Sequence, residues 1–138
     1  NGFPIGGVLI DKNIAPKYGM LGTTFGGNHL ACAAGLAVLN ILEKEELLQN
    51  ASAMFDYVKE QAKEIPQIKN IKGRGLMIGL EFDFEVASLR KDMLYVHQIF
   101  TGSAANKNLL RILPPLNIEK KHFDTFFKAL KISLANQK

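Results

Sequence analysis

Apolar and polar positions change rhythm several times along this chain, and each change marks an element. Residues 7–11, Gly-Val-Leu-Ile-Asp, form a short apolar run between glycine and charge, which predicts a buried strand. Residues 13–28 follow as loop, with Pro16, Gly19, Gly22, Gly26 and Gly27 separating brief apolar runs. A helix is predicted over residues 29–44, with Asn28 as N-cap because its side chain can accept from the open amides of a first turn. Ala31, Ala33, Ala34, Gly35 and Ala37 leave this helix little bulk and apolar on nearly all sides, so burial against other backbone is expected. Over residues 45–64, Leu47, Ala51, Met54, Val58 and Ala62 recur at three- and four-residue spacing, the stripe of a surface helix, and Pro66 stops it.

Beyond Pro66 the period shortens. Residues 68–71 and 76–82 are predicted strands, separated by the turn-prone Lys72-Gly73-Arg74-Gly75, and Leu76, Ile78, Leu80 and Phe82 alternate onto one face. A third helix is predicted over residues 86–98, and a short strand over residues 108–112 ends at Pro114-Pro115. The last helix, residues 119–135, turns Phe123, Phe126, Phe127, Leu130 and Leu134 inward. A shift from apolar to charged residues at 43–46 divides the chain. Residues 1–44 hold a strand, a glycine-rich loop and an apolar helix that cannot bury one another completely, whereas residues 45–138 have the mixture of a small α+β layer domain. Asn1-Gly2-Phe3-Pro4-Ile5-Gly6 has the composition of an internal loop and no initiator Met, so further polypeptide is expected upstream.

Composition narrows the classes. At 138 residues, 47% apolar and 22% charged, the chain is an ordinary globular sequence long enough for a packed core. Its net charge of +4 comes from 17 basic residues scattered among 13 acidic ones. Lys69, Lys72 and Arg74, and Lys120 with Lys121, lack interleaved aromatics and read as solvated faces, so no nucleic-acid partner is expected. The longest apolar segment, residues 30–42, is interrupted by Asn40 and falls short of the ~20 residues of a membrane helix, so no membrane partner is expected either. The single Cys32 cannot form an internal disulfide, no secretory leader opens the chain, and a reducing cytoplasm fits. On its apolar helix Cys32 reads as core rather than nucleophile. His29, His97 and His122 share no metal-ligand spacing, so no metal site is expected. Gly73-Arg74-Gly75 lacks a third glycine and leads into a strand, unlike a dinucleotide fingerprint.

The stretch richest in chemistry is Gly22-Thr23-Thr24-Phe25-Gly26-Gly27-Asn28, paired hydroxyls and glycines running into a helix. Glycine lets backbone amides approach an anion, threonine adds donors, and a helix start adds its positive dipole end. That pattern describes a phosphate cradle, or else a purely structural turn before a helix. Arg111, between Leu110 and Ile112, carries a charge that demands a partner among core-seeking neighbours, and reads either as a structural ion pair or as a site residue.

Taken in order, residues 1–6, Gly22-Thr23-Thr24-Phe25-Gly26-Gly27-Asn28-His29-Leu30-Ala31-Cys32-Ala33-Ala34, Gly73-Arg74-Gly75-Leu76-Met77-Ile78-Gly79-Leu80-Glu81 and Leu110-Arg111-Ile112-Leu113-Pro114-Pro115-Leu116 resemble class III pyridoxal-phosphate-dependent aminotransferases, especially their acetylornithine branch. The resemblance implies an α/β, fold-type I transferase: residues 1–44 would be the end of the large cofactor-binding domain and residues 45–138 the small α+β C-terminal domain. It implies pyridoxal 5'-phosphate as cofactor. The Schiff-base lysine would lie a few residues upstream of Asn1, so no catalytic residue falls within this chain, and neither Lys12 nor Lys17 occupies that position. Thr24 would bind the cofactor phosphate, its loop reaching into the partner's site of a homodimer, and Thr23 would lie against substrate. Arg111 would sit at the rim, pairing with an acidic residue from elsewhere in the protein and controlling carboxylate binding. His29 departs from the proline common at that place, which puts the helix entry in question. The implied reaction moves the side-chain amino group of N-acetylornithine, or a similar N-acylornithine, to 2-oxoglutarate in arginine biosynthesis. Ornithine, 4-aminobutyrate or succinylornithine are the alternative donors. From another class, a non-enzymatic α+β interaction domain would use the glycine loop only as a turn.

Overall fold

A computed structural model describes residues 3–20 and 22–136; Asn1 and Gly2, which open the first motif block, lie outside the described residues. The chain divides into two compact units, Asn1–Glu46 and Leu47–Lys138.

The first unit is loop followed by one helix, α1 (His29–Lys44). Asn28 is extended, and its Oδ1 accepts from the Ala31 amide at 2.9 Å, while its Nδ2 donates to the Phe25 carbonyl at 2.9 Å. The cap therefore holds both the helix start and the loop before it, and His29 in place of proline leaves the helix entry intact. Residues 7–11 do not form the expected strand. A strand needs a neighbour's hydrogen-bonding edge as well as apolar residues, and here Val8 and Leu9 are exposed without one. The expected burial of α1 is also not met: Ala31 is its buried residue, whereas Leu30, Leu36, Leu39 and Ile41 are exposed. Cys32 is exposed rather than core. Close packing survives at Gly35, where an added Cβ would sit 3.3 Å from Ile5 Cδ1. Ile5 and Phe3 face Ala34, Gly35, Val38 and Leu39 across an open apolar groove of about 340 Å³.

In the second unit, α2 (Leu47–Lys63), β1 (Asn70–Arg74), β2 (Met77–Glu81), α3 (Ala87–Tyr95), β3 (Leu109–Ile112) and α4 (Lys120–Asn136) follow in chain order. The strands form one sheet, β1-β2-β3, antiparallel throughout. Strand β1 runs through residues 72–74, which the sequence pattern predicts as turn; the reversal is confined to Gly75 and Leu76 between the paired Arg74 and Met77. Gly73 makes this possible. Its φ is +115°, and a Cβ there would collide with the Met77 carbonyl oxygen. Helix α3 stops earlier than predicted because Gln98 turns left-handed at φ 58°, and the Ile99 amide reaches back to the Met93 carbonyl at 2.8 Å.

One sheet face carries the core. Ile78, Leu80, Leu110 and Ile112 are buried, together with Val58 and Met54 of α2, Leu89 and Met93 of α3, and Phe123, Phe127 and Leu130 of α4. This is the expected alternation of β2 and the expected stripe of the last helix. At about 25 cal/mol per Å² of apolar surface, this burial is the main term holding the unit together. The opposite face presents Lys72, Arg74, Met77, Leu109 and Arg111, with Gly79 on the same face but buried next to Leu109.

Candidate functional site

The loop before α1 is built from overlapping turns. The Gly26 amide donates to the Thr23 carbonyl at 3.3 Å and the Asn28 amide to the Phe25 carbonyl at 3.4 Å. Gly27 adopts φ +69°, which an L side chain seldom tolerates. A Cβ on Gly26 would collide with Cγ2 of Thr23, so this glycine lets Thr23 fold back over the turn. Thr23 and Thr24 are both exposed, as is Phe25. Asn28 takes the Ala31 amide with its side chain and the Cys32 amide with its carbonyl, at 2.9 and 3.0 Å. The amides of His29 and Leu30 have no acceptor within a helix that begins there. Two exposed threonine hydroxyls on the loop, and separately the open amides and positive dipole end at the start of α1, are each groups that can donate to a phosphate oxygen.

Arg111 lies on β3 in the second unit. Its backbone pairs with Gly79 of β2 on one side and bridges to Gly102 on the other. The Gly102 amide donates to the Arg111 carbonyl at 2.7 Å, and the Arg111 amide donates back at 3.2 Å. The side chain is exposed on the sheet face opposite the core. Among the described residues Arg111 forms no ion pair, which disfavours the structural-pair reading within this unit. Thr23 and Thr24 are thus brought together on one loop, and Arg111 projects from an open sheet surface. Gly102, unremarked in the sequence, is the residue beside it. An isolated glycine shortly before a strand is a signal for close backbone approach, though a weak one.

The remaining polar groups are chiefly structural. Lys72 pairs with Glu81 at 2.8 Å, Lys69 with Asp83 at 3.3 Å and Lys121 with Glu119 at 2.8 Å, so those basic positions have acidic neighbours. Lys72 and Asn106 both donate to the Glu81 carboxylate, and the bond from Lys72 does most to hold Glu81 below the ordinary carboxylate pKa. Lys121 does the same for Glu119. The phenol of Tyr57 donates to Asp124, which pushes its pKa up. His97 Nε2 stands 4.0 Å from Asp92 Oδ2, and His122 Nδ1 accepts from the Glu119 amide at 3.2 Å. Among the described residues no three His, Cys, Asp or Glu side chains are grouped to hold a metal. Among them too, no helix is long and apolar enough to cross a membrane.

Comparison with known proteins gives the family and the fold. Residues 1–134 match the family described as Aminotransferase class-III. The chain is 37% identical over 135 residues to the acetylornithine aminotransferase of Methanocaldococcus jannaschii, covering 94% of this chain and 33% of that protein. It is 40% identical over 137 residues to the acetylornithine aminotransferase of Aquifex aeolicus, covering 94% and 34%. It therefore spans about a third of the length of these relatives. Among solved structures, the ornithine aminotransferase of Toxoplasma gondii superposes with a TM-score of 0.72 at 29% identity, over 87% of this chain and 30% of that one. The fold is accordingly that of fold-type I pyridoxal-phosphate-dependent aminotransferases, of which this chain forms a part. The chain belongs to the class III aminotransferases.

Proposed function

We propose that the complete protein moves the side-chain amino group of N-acetylornithine, or a similar N-acylornithine, to 2-oxoglutarate, as a cytoplasmic homodimer in arginine biosynthesis. The observation that supports this reading is the Thr23-Thr24 loop seated on the Asn28 cap of α1 in a class III aminotransferase chain, an arrangement suited to a phosphate. The names of the M. jannaschii and A. aeolicus relatives support the acetylated donor. The T. gondii neighbour supports ornithine as a second reading.

In this assignment residues 1–44 end the large cofactor-binding domain and residues 45–138 are the small domain. The partners of residues 7–11, and the cover for the exposed apolar residues of α1, belong to polypeptide outside this chain, as does the catalytic lysine. Pyridoxal 5'-phosphate, when bound, supplies the electron sink for transamination. Thr24 holds its phosphate with a short, stiff hydroxyl donor strengthened by the charged acceptor, in the partner subunit's site. Thr23 lies against the substrate. Arg111 offers a planar, permanently charged fork to a substrate carboxylate and, between turnovers, to an acidic side chain from elsewhere in the protein.

The test is a coupled assay of the full-length protein with acetylornithine, succinylornithine, ornithine and 4-aminobutyrate, each with 2-oxoglutarate. The highest kcat/KM is expected for an N-acylated ornithine. Preference for free ornithine would move the assignment to the second reading, and absence of transfer from all four would refute both.

A further inference from the structure

The lane beside Arg111 is walled by two glycines. Gly79 pairs with Arg111 across β2 and β3, and Gly102 bridges it on the free edge of β3, so all three point to the same sheet face. The two glycines are not equivalent. A Cβ on Gly79 would press on Leu109, with Cδ2 at 2.9 Å and Cδ1 at 3.0 Å. A Cβ on Gly102 would press on the arginine itself, 2.9 Å from Nε and 3.3 Å from Nη2. The guanidinium thus lies directly over Gly102. The neighbouring backbone is held by Arg90 of α3, which donates from Nε and Nη2 to the Thr101 carbonyl at 3.3 and 3.0 Å. Thr101 is itself buried.

We propose that Gly102 is a positioning residue for Arg111: the side chain it lacks is the space in which the guanidinium lies, and the Thr101–Gly102 segment clamped by Arg90 sets the direction of the fork. This deepens the reading of Arg111 as a carboxylate-binding residue and rests on it. Filling the lane lifts Nε off the sheet. The arginine then keeps its charge but presents its fork at another angle, and two parallel hydrogen bonds to a carboxylate are lost before anything else is.

The experiment is a double-mutant cycle in the full-length holoenzyme with Gly102→Ala, Arg111→Ala and the two combined. The readouts are KM for 2-oxoglutarate, kcat, and the inhibition constant of glutarate, a dicarboxylate that cannot react. Gly102→Ala is expected to raise KM and the glutarate constant about tenfold, with a much smaller effect on kcat, and to add nothing once Arg111 is alanine. If Arg111→Ala weakens both constants and Gly102→Ala does not, the positioning role falls while the carboxylate role of Arg111 stands. If Gly102→Ala has the same effect with and without Arg111, its role is structural and the proposal is overturned. If neither variant moves either constant, the Arg111 reading fails and takes this inference with it. Should Gly102→Ala not fold, the combined variant decides the matter. With no guanidinium to strike it is expected to regain a wild-type melting profile, and its failure to do so overturns the proposal.

Discussion

Glu81 closes β2 with two donors on its carboxylate, Lys72 Nζ at 2.8 Å and Asn106 Nδ2 at 2.9 Å. The bond from Lys72 is the largest cause of its lowered pKa, opposed by partial desolvation. A carboxylate whose folded pKa is depressed contributes stability above its unfolded pKa and loses it as pH falls through the folded value. Urea midpoints of the full-length protein should therefore favour wild type over Glu81→Gln near ~pH 6, with the gap closing toward ~pH 3. A gap that stays constant over that range would show that Glu81 is not held by its charge. The exposure of this pair keeps the effect small. Residue-level legibility was uneven for a physical reason. The charge of Arg111 stands out among Leu110 and Ile112, because a cation between core-seeking residues is conspicuous in any sequence. Gly102 does not stand out, because its meaning lies in a bridge that exists only after the chain has doubled back.

Elements were legible where one face is buried inside the unit. The stripes of α2 and α4 and the alternation of β2 reproduce the predicted spans to within about two residues, since their apolar positions meet one shared core. Residues 7–11 have the composition of a strand but no pairing edge, and α1 has the composition of a buried helix but exposed leucines. In both, pattern reports what the residues would accept, whereas structure reports what is present to meet them. The hairpin is a third kind of case. Two glycines and two cations looked like a turn, yet Gly73 sits in the ladder opposite Ile78 because only glycine clears the Met77 carbonyl there. Gly73→Ala in the full-length protein is expected to cost about 1–3 kcal/mol of stability, read as a lowered urea midpoint at constant slope. A midpoint within error of wild type would mean that the hairpin relaxes freely and that Gly73 is not what sets its register.

At the scale of the whole molecule, the chain divides at Glu46–Leu47, close to where apolar residues give way to charge. Glu46 is left-handed at φ 49°, and its amide returns to the Glu43 carbonyl at 3.2 Å, so the composition break is also where α1 ends. The core cluster lies entirely in the second unit, while the donor-rich loop lies in the first. The burial that holds the fold is therefore concentrated in the second unit of a chain that spans about a third of its acetylornithine aminotransferase relatives. Whether this loop grips the cofactor phosphate can be read from a spectroscopic titration of the full-length apoprotein with pyridoxal 5'-phosphate, wild type against Thr24→Val. Loss of one charge-assisted hydrogen bond, about 1.5–3 kcal/mol, predicts a dissociation constant raised by about tenfold or more. An unchanged dissociation constant in a folded Thr24→Val protein would mean that Thr24 does not hold the phosphate.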